Sequence, residues 1–339
     1  MSLKLPEIDG NDLHSEAQFM REVVEPCRPL VLRDLVSAWP AVHSATRSSV
    51  DFQEYLRRFD NGREIDVFIG DAAIDGKYYY TDDLKAFNFE RRNMSFMAAV
   101  TAIVAERQAD APTVYLGSVP VNDHLPGFAA QNVLPVLPPH IGARIWLGHA
   151  ANVSAHFDAF DNVACVVAGR RRFTLYPPET IANLYVGPLD HTMAGQPVSL
   201  AAAAPPDDER YPLFSAVREQ ALSAELSPGD ALYIPKLWWH QIESLASFNG
   251  LVNYWWDAFS SGPDAPYTSL FLSMIAIAER PLPERAAWKA FFDHYVFRSE
   301  GHPLKHLPVE QHGILGPLKP DNYAKIRAFV MHRLRGEVK

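Results

Sequence analysis

Cysteine is scarce: only Cys27 and Cys165 occur in 339 residues. They lie far apart in apolar surroundings, so the chain has neither a disulfide framework nor a CxxC metal or redox pair, and a reducing cytoplasm is the expected setting. Basic charge is also in short supply, with 31 Lys and Arg against 40 Asp and Glu and a formal net charge of −9. That balance disfavours a nucleic-acid groove or a polybasic membrane contact. The longest charge-free apolar stretch of the C-terminal third, Ala265 to Ala278, has 14 residues. A bilayer needs about 20, so no membrane span is expected. Glu7, Asp9 and Asp12 stand where a secretory peptide would need its apolar region, which argues against export. HExxH, GxSxG, GxGxxG and P-loop patterns are missing too, removing zinc-protease, α/β-hydrolase, Rossmann and NTPase readings.

Proline is plentiful. The 27 prolines exceed ordinary usage of about 5% and predict many short segments ending in turns. Residues 14–25 and 50–58 carry apolar residues at spacings of three and four and read as amphipathic helices, with a short strand at 29–33 between them. Ser95 to Glu106 reads as a third helix, capped by Ser95. From Thr113 the texture changes to short β-rich runs, TVYLG, ARIWLG, NVACVVAG, RRFTLYP, DALYIP and GLVNYWW, divided by turn residues. Such a series without intervening helices predicts an antiparallel sandwich or barrel. A polar and then helical insert is expected over Asp207 to Glu225, and three helices follow Trp256. The expected organisation is mainly β with α: an N-terminal helical and β elaboration over 1–112, a β core over 113–258 and a helical region over 259–339.

The chemistry concentrates in Asn152-Val-Ser-Ala-His156-Phe-Asp158 and in Leu237-Trp-Trp-His240. Residues i and i+2 of a strand share a face, so His156 and Asp158 are placed to look into one cavity. With His240 they make two histidines and one carboxylate, a facial set that leaves open positions on Fe(II). Each signal alone is weak. A single HxD is common by chance, and an isolated histidine between tryptophans is most often satisfied by a carbonyl in the core. His140 and His149 have no partner at metal spacing and read as exposed. Of Arg170, Arg171 and Arg172, strand alternation cannot turn all three inward. Trp238, Trp239, Trp255 and Trp256 suggest an aromatic rim, of which alternation assigns half to the core.

Together these stretches resemble the cupin-8 group of Jumonji C-type cupins, which includes asparaginyl hydroxylases. The likeness covers about Arg28 to Trp256 and rests on the HFD motif at His156 to Asp158, Asn162, the GRRRFTLYPP hairpin, GDALYIPKLWWHQIES and Asn253-Tyr-Trp-Trp256. It implies a double-stranded β-helix, a jelly-roll cupin core, with His156, Asp158 and His240 as iron ligands and 2-oxoglutarate as cosubstrate. It further implies that Arg171 meets the far carboxylate of the cosubstrate, where the asparaginyl hydroxylases place lysine. Tyr115 matches the hydroxyl donor to that carboxylate, although a core tyrosine is the equal alternative. Asn162 and Asn253 match amides lining the cosubstrate site. Val153 stands by spacing at the family's threonine, with Ser154 adjacent, so that contact stays open.

The implied activity is hydroxylation of a polypeptide side chain or a small molecule. A non-catalytic cupin that binds a ligand or regulatory partner, and a metal-dependent cupin enzyme without 2-oxoglutarate, remain as alternatives. In the tail, Leu270, Phe271, Met274 and Ile275, then Trp288, Phe291 and Phe292, form apolar faces larger than one small barrel is expected to cover. A homodimer through residues from about 265 to 335 is therefore expected, as the resemblance also implies.

Overall fold

In Asp161–Ala168 every residue is buried. Its alternate side chains serve two apolar clusters: Val163, Cys165 and Val167 pack with the helix residues Phe52, Leu56 and Phe96, whereas Ala164 and Val166 pack with Phe173, Leu175 and Leu226. A strand covered on both faces belongs to a middle layer. The computed structural model describes residues 3–108, 110–205, 208–259 and 264–336 and has that layering: N-terminal helices, a nine-stranded sheet, then a facing five-stranded sheet.

The nine-stranded sheet runs in the order Glu7–Asp9, Leu30–Arg33, Ala231–Ile234, Asp161–Ala168, Asn249–Trp256, Ala143–Gly148, Thr113–Pro120, Glu64–Gly70 and Phe89–Ser95. The five-stranded sheet runs Leu3–Lys4, Leu222–Leu226, Arg171–Tyr176, Trp239–Ser244 and Ala151–His156. Antiparallel pairing dominates both, and the two sheets form the expected jelly-roll cupin core. All six β-rich runs are strands. The helices Ser49–Arg57 and Phe96–Val104 form as their periodicity requires. Their N-caps are serine hydroxyls, Ser48 accepting from Asp51 N at 3.0 Å and Ser95 from Ala98 N at 3.3 Å. Each fully buried phenylalanine of these helices contributes about 1.5 to 3 kcal/mol through burial.

Some elements depart from the sequence expectation. Glu64–Gly70 and Phe89–Ser95 extend the large sheet by pairing Phe68 with Tyr115 and Phe68 with Arg91. The second of them, FERRNMS, is an edge strand with mostly exposed side chains, so it shows no apolar alternation. Leu222–Leu226 lies in the stretch read as helical and is instead a strand, antiparallel to Arg171–Tyr176. The helix there is confined to Phe214–Glu219, and Asp207, the expected start of the insert, lies outside the described residues.

Two compact units result, Met1–Ala258 and Phe259–Lys339. The second contains the helices Pro266–Ile277, Leu282–Phe292 and Pro320–Arg335, none of which buries a residue. Ile275, Phe291 and Phe297 are 85%, 58% and 68% exposed. Among the described residues no helix is long and apolar enough to cross a membrane.

Candidate metal centre

Strand pairing brings the two histidines together. Ala151–His156 and Trp239–Ser244 are antiparallel neighbours in which His156 stands directly opposite His240, and their rings are 4.3 Å apart at the centroids. Asp158 follows two residues beyond the strand end, where its carbonyl accepts from Leu237 N at 2.9 Å. That bond ties the turn after His156 to the turn before His240. As a result, one ligating atom from each of His156, Asp158 and His240 lies within 4.8 Å of the others.

The chain also fixes which atoms are offered. His156 Nδ1 lies 2.9 Å from Ser154 O and His240 Nδ1 lies 3.0 Å from Trp238 O. A carbonyl only accepts, so both Nδ1 atoms carry the proton and both Nε2 atoms keep a free lone pair toward the common point. Burial, reinforced by the neighbouring His156, lowers the proton affinity of His240, which keeps the neutral ligating form. The carboxylate is oriented by a relay. Asp158 Oδ2 accepts from Trp255 Nε1 at 3.1 Å and from Asn162 Nδ2 at 3.3 Å. Asn162 Oδ1 accepts from Asn253 Nδ2 at 3.1 Å, and Asn253 Oδ1 from Trp146 Nε1 at 2.7 Å.

His156, Asp158 and His240, the two asparagines, Tyr115 and Arg171 line one cavity of about 120 Å³. Alternation settles the three arginines: Arg171 is 1% exposed, while Arg172 turns outward to ion pairs with Glu225 and Glu243 and Arg170 lies near Glu225. Arg171 Nε and Nη2 are buried without a hydrogen-bond partner. Burial therefore depresses the pKa of this guanidinium, opposed by Tyr115, whose hydroxyl sits beside it. Burial likewise raises the pKa of the Tyr115 hydroxyl, and Arg171 opposes that shift.

Other side chains sort as follows. Val153 lines the cavity, whereas Ser154 turns away and donates to Ser199 O at 3.0 Å. Trp239 is core, packed edge-on against Phe157, and Trp255 is a cavity wall. His140 is exposed as expected, but His149 is not: it is buried, and its Nδ1 accepts from Val114 N at 3.0 Å. The apolar strand end around it supplies that donor, which spacing alone does not reveal. Sequence reasoning also missed Trp146, which anchors the relay, and the wall residues Phe68, Tyr78 and Phe89. Only the ARIWLG pattern, which places Trp146 and Arg144 on one strand face, carried a trace of this.

A jelly-roll cupin with an inward two-histidine, one-carboxylate cluster defines the class. The cupin-like domain model matches residues 16–262, and the chain belongs to that family of Jumonji C-type cupins. It is similar to Jumonji C domain-containing protein 5 of Drosophila melanogaster, 28% identical over 75% of this chain and 60% of that protein. It is also similar to the human bifunctional peptidase and (3S)-lysyl hydroxylase JMJD7, 28% identical over 70% of this chain and 80% of that protein. Lysine-specific demethylase 8 of Xenopus tropicalis is 26% identical over 70% of this chain and 50% of that protein. The chain thus spans between half and four-fifths of the length of these relatives, and it belongs with oxygenases at the level of the family.

Proposed function

We propose that this protein is a non-haem Fe(II)- and 2-oxoglutarate-dependent hydroxylase acting on a polypeptide side chain. The observation that carries the reading is the buried Arg171 guanidinium, unpaired at Nε and Nη2 and facing the same cavity as the triad. A cation in that state lacks an anion, and a dicarboxylate held between the triad and Arg171 supplies one. The donor set fits the metal: two neutral imidazole nitrogens and one carboxylate on one side leave the opposite side free.

With both groups bound, the centre would let dioxygen act as the oxidant, one of its oxygen atoms going into a substrate C–H bond and the other into succinate as 2-oxoglutarate loses carbon dioxide. The chain's own share is positional. Ser154 O and Trp238 O hold the imidazoles in one tautomer, and the Trp146–Asn253–Asn162 relay together with Trp255 fixes the rotamer of Asp158. Arg171 and the Tyr115 hydroxyl receive the far carboxylate. The apolar wall keeps water from the reacting centre.

The human relative is named a lysyl hydroxylase, and hydroxylation of a polypeptide is extended to this chain on that similarity. The helices of 264–336 serve, in this reading, to join two copies: three helices that bury none of their residues need a partner, and a stable interface takes roughly 800 Å² from each side. The free thiols Cys27 and Cys165 accord with a cytoplasmic setting. The reading is tested by succinate release without substrate. Arg171→Glu should abolish it and Arg171→Lys retain part, since lysine restores the charge but not the planar fork. Wild-type rates in both variants would place the cosubstrate anchor elsewhere.

A further inference from the structure

Four residues, Pro235-Lys-Leu-Trp238, join Ala231–Ile234 of the nine-stranded sheet to Trp239–Ser244 of the five-stranded one. Facing sheets lie about 10 Å apart, so a link this short has little freedom. The chain meets that constraint by turning Leu237 to a φ of 68°. A leucine Cβ is crowded in this left-handed region, which glycine enters freely. Packing of its own side chain is not what holds Leu237 there, since the residue is 48% exposed. The turn must be fixed through its other groups.

Two of the contacts that shape the metal centre come from this turn. Leu237 N donates to Asp158 O at 2.9 Å, and Trp238 O lies 3.0 Å from His240 Nδ1. The anchor of the turn is Lys236, which meets the buried carboxylate of Asp161, a residue 1% exposed. Asp161 Oδ1 accepts from Tyr233 OH at 3.0 Å and from Lys236 N at 3.4 Å. Its Oδ2 accepts from Ala258 N at 3.2 Å and lies 3.2 Å from Lys236 Nζ. The Lys236 ammonium also donates to Asp257. One carboxylate thereby ties together the strand before the turn, the turn itself and the end of Asn249–Trp256, the strand that carries Asn253 and Trp255. Removing one partner of a buried ion pair leaves an uncompensated charge, so such a pair grips its backbone firmly.

We propose that Lys236 is a positioning residue of the metal centre. Held by Asp161 and Asp257, it keeps the turn in its left-handed form, and the turn in that form sets Asp158 through the Leu237 N–H and His240 through the Trp238 carbonyl. Lys236 thus acts on the centre through backbone groups alone. The inference rests on the metal reading of His156, Asp158 and His240 and is independent of the cosubstrate and of the substrate.

Two readouts on the full-length protein test it. Titration with Mn(II), followed by electron paramagnetic resonance, gives the affinity from the free ion and the ligand geometry from the bound signal. Amide hydrogen exchange over residues 235–240, read by mass spectrometry on the metal-free protein, reports the turn itself. Lys236→Met should weaken Mn(II) binding by about ten-fold or more, the range for lost supports behind metal ligands. It should also alter the bound signal and speed exchange of the Leu237 amide by about ten-fold. Lys236→Arg keeps the charge and should restore most of both. Adding Leu237→Gly to Lys236→Met should recover most of the affinity, because glycine adopts a positive φ without the anchor; a general loss of stability would be deepened by glycine, not relieved. Leu237→Val serves if Lys236→Met does not fold. The position is half exposed, and a β-branched residue is still more strained at this φ, so Mn(II) affinity should fall about ten-fold while circular dichroism is unchanged. Wild-type affinity and exchange in Lys236→Met, wild-type affinity in Leu237→Val, or a Lys236→Met defect that Leu237→Gly worsens overturns the inference. If the wild-type protein takes up no Mn(II), the metal reading fails, and the exchange rates still decide whether Lys236 holds the turn.

Discussion

Replacing Arg171 with methionine separates two effects that the buried guanidinium combines. The side chain is 1% exposed, and its Nε and Nη2 have no partner. Without an anion such a charge burdens the fold, because the desolvation penalty of a buried ion is several kcal/mol even after relaxation. The adjacent Tyr115 hydroxyl offsets part of it. Methionine is long, flexible and apolar, so Arg171→Met should stabilise the cosubstrate-free protein by about 1 to 4 kcal/mol, the range found when buried ionic groups give way to packed apolar ones. For a unit the size of Met1–Ala258, each kcal/mol is about 2 to 4 °C in Tm. The same change removes the partner for the far carboxylate. At a hundred-fold excess over Kd the wild type should gain about 2.7 kcal/mol from the cosubstrate, and the variant should gain nothing. Thermal melts with Mn(II), with and without 2-oxoglutarate, read both effects: the variant melts higher alone and does not respond. A variant that melts lower and still responds would refute the reasoning, since Arg171 would then be satisfied within the fold and the cosubstrate held elsewhere.

Three further outcomes are expected. Asn253→Ala breaks the relay between Trp146 and Asn162 and leaves Trp146 Nε1 and Asn162 Oδ1 unpartnered. It should weaken metal affinity by about 10- to 100-fold, measured by competition with a chelating dye, and unchanged affinity would mean that Asp158 needs no such orientation. Burial pushes the Cys165 thiol far above its usual range, whereas Cys27 is exposed. Ellman's reagent should therefore titrate one thiol in the native protein and two in guanidinium. Because the folded pKa is raised, the contribution of Cys165 to stability is complete below about pH 8.5 and declines above it, as the unfolded chain releases the proton first. Two rapidly reacting native thiols would contradict the buried placement. Light scattering should give a mass near twice 38.0 kDa, falling to the monomer when Phe291 and Phe292 are both changed to Asp. A monomeric wild type at micromolar concentration rejects the dimer.

The core strands were legible because both of their faces are covered, which makes NVACVVAG and DALYIP almost uninterrupted apolar runs. The two histidines were legible because they sit on neighbouring strands, where alternation determines direction, while Asp158 lies past the strand end and was legible by its spacing from His156. Alternation alone did not choose among Arg170, Arg171 and Arg172; the family resemblance pointed to Arg171, and its pairing with Ser244 and Leu226 sets the register that turns it inward. The edge strand Phe89–Ser95 escaped notice because charged and polar residues interrupt its alternation, whereas Leu222–Leu226 alternates but is only five residues long and follows closely on the helix Phe214–Glu219. The cavity wall was hidden for a different reason. Phe68, Phe89, Met193 and Gln196 come from segments far apart in the chain, and no local period marks residues whose only relation is a shared cavity.

The central claim is that one cavity holds iron at His156, Asp158 and His240 and 2-oxoglutarate between that iron and Arg171. Anaerobic titration of the Fe(II)-loaded protein with 2-oxoglutarate tests it most directly, by following the weak visible charge-transfer absorption of the chelate. The account expects a saturable band that requires both components and is lost in His156→Ala, Asp158→Ala and His240→Ala variants whose circular dichroism is unchanged. No band in the wild type at saturating cosubstrate, or a full band in any one of the three variants, would contradict it.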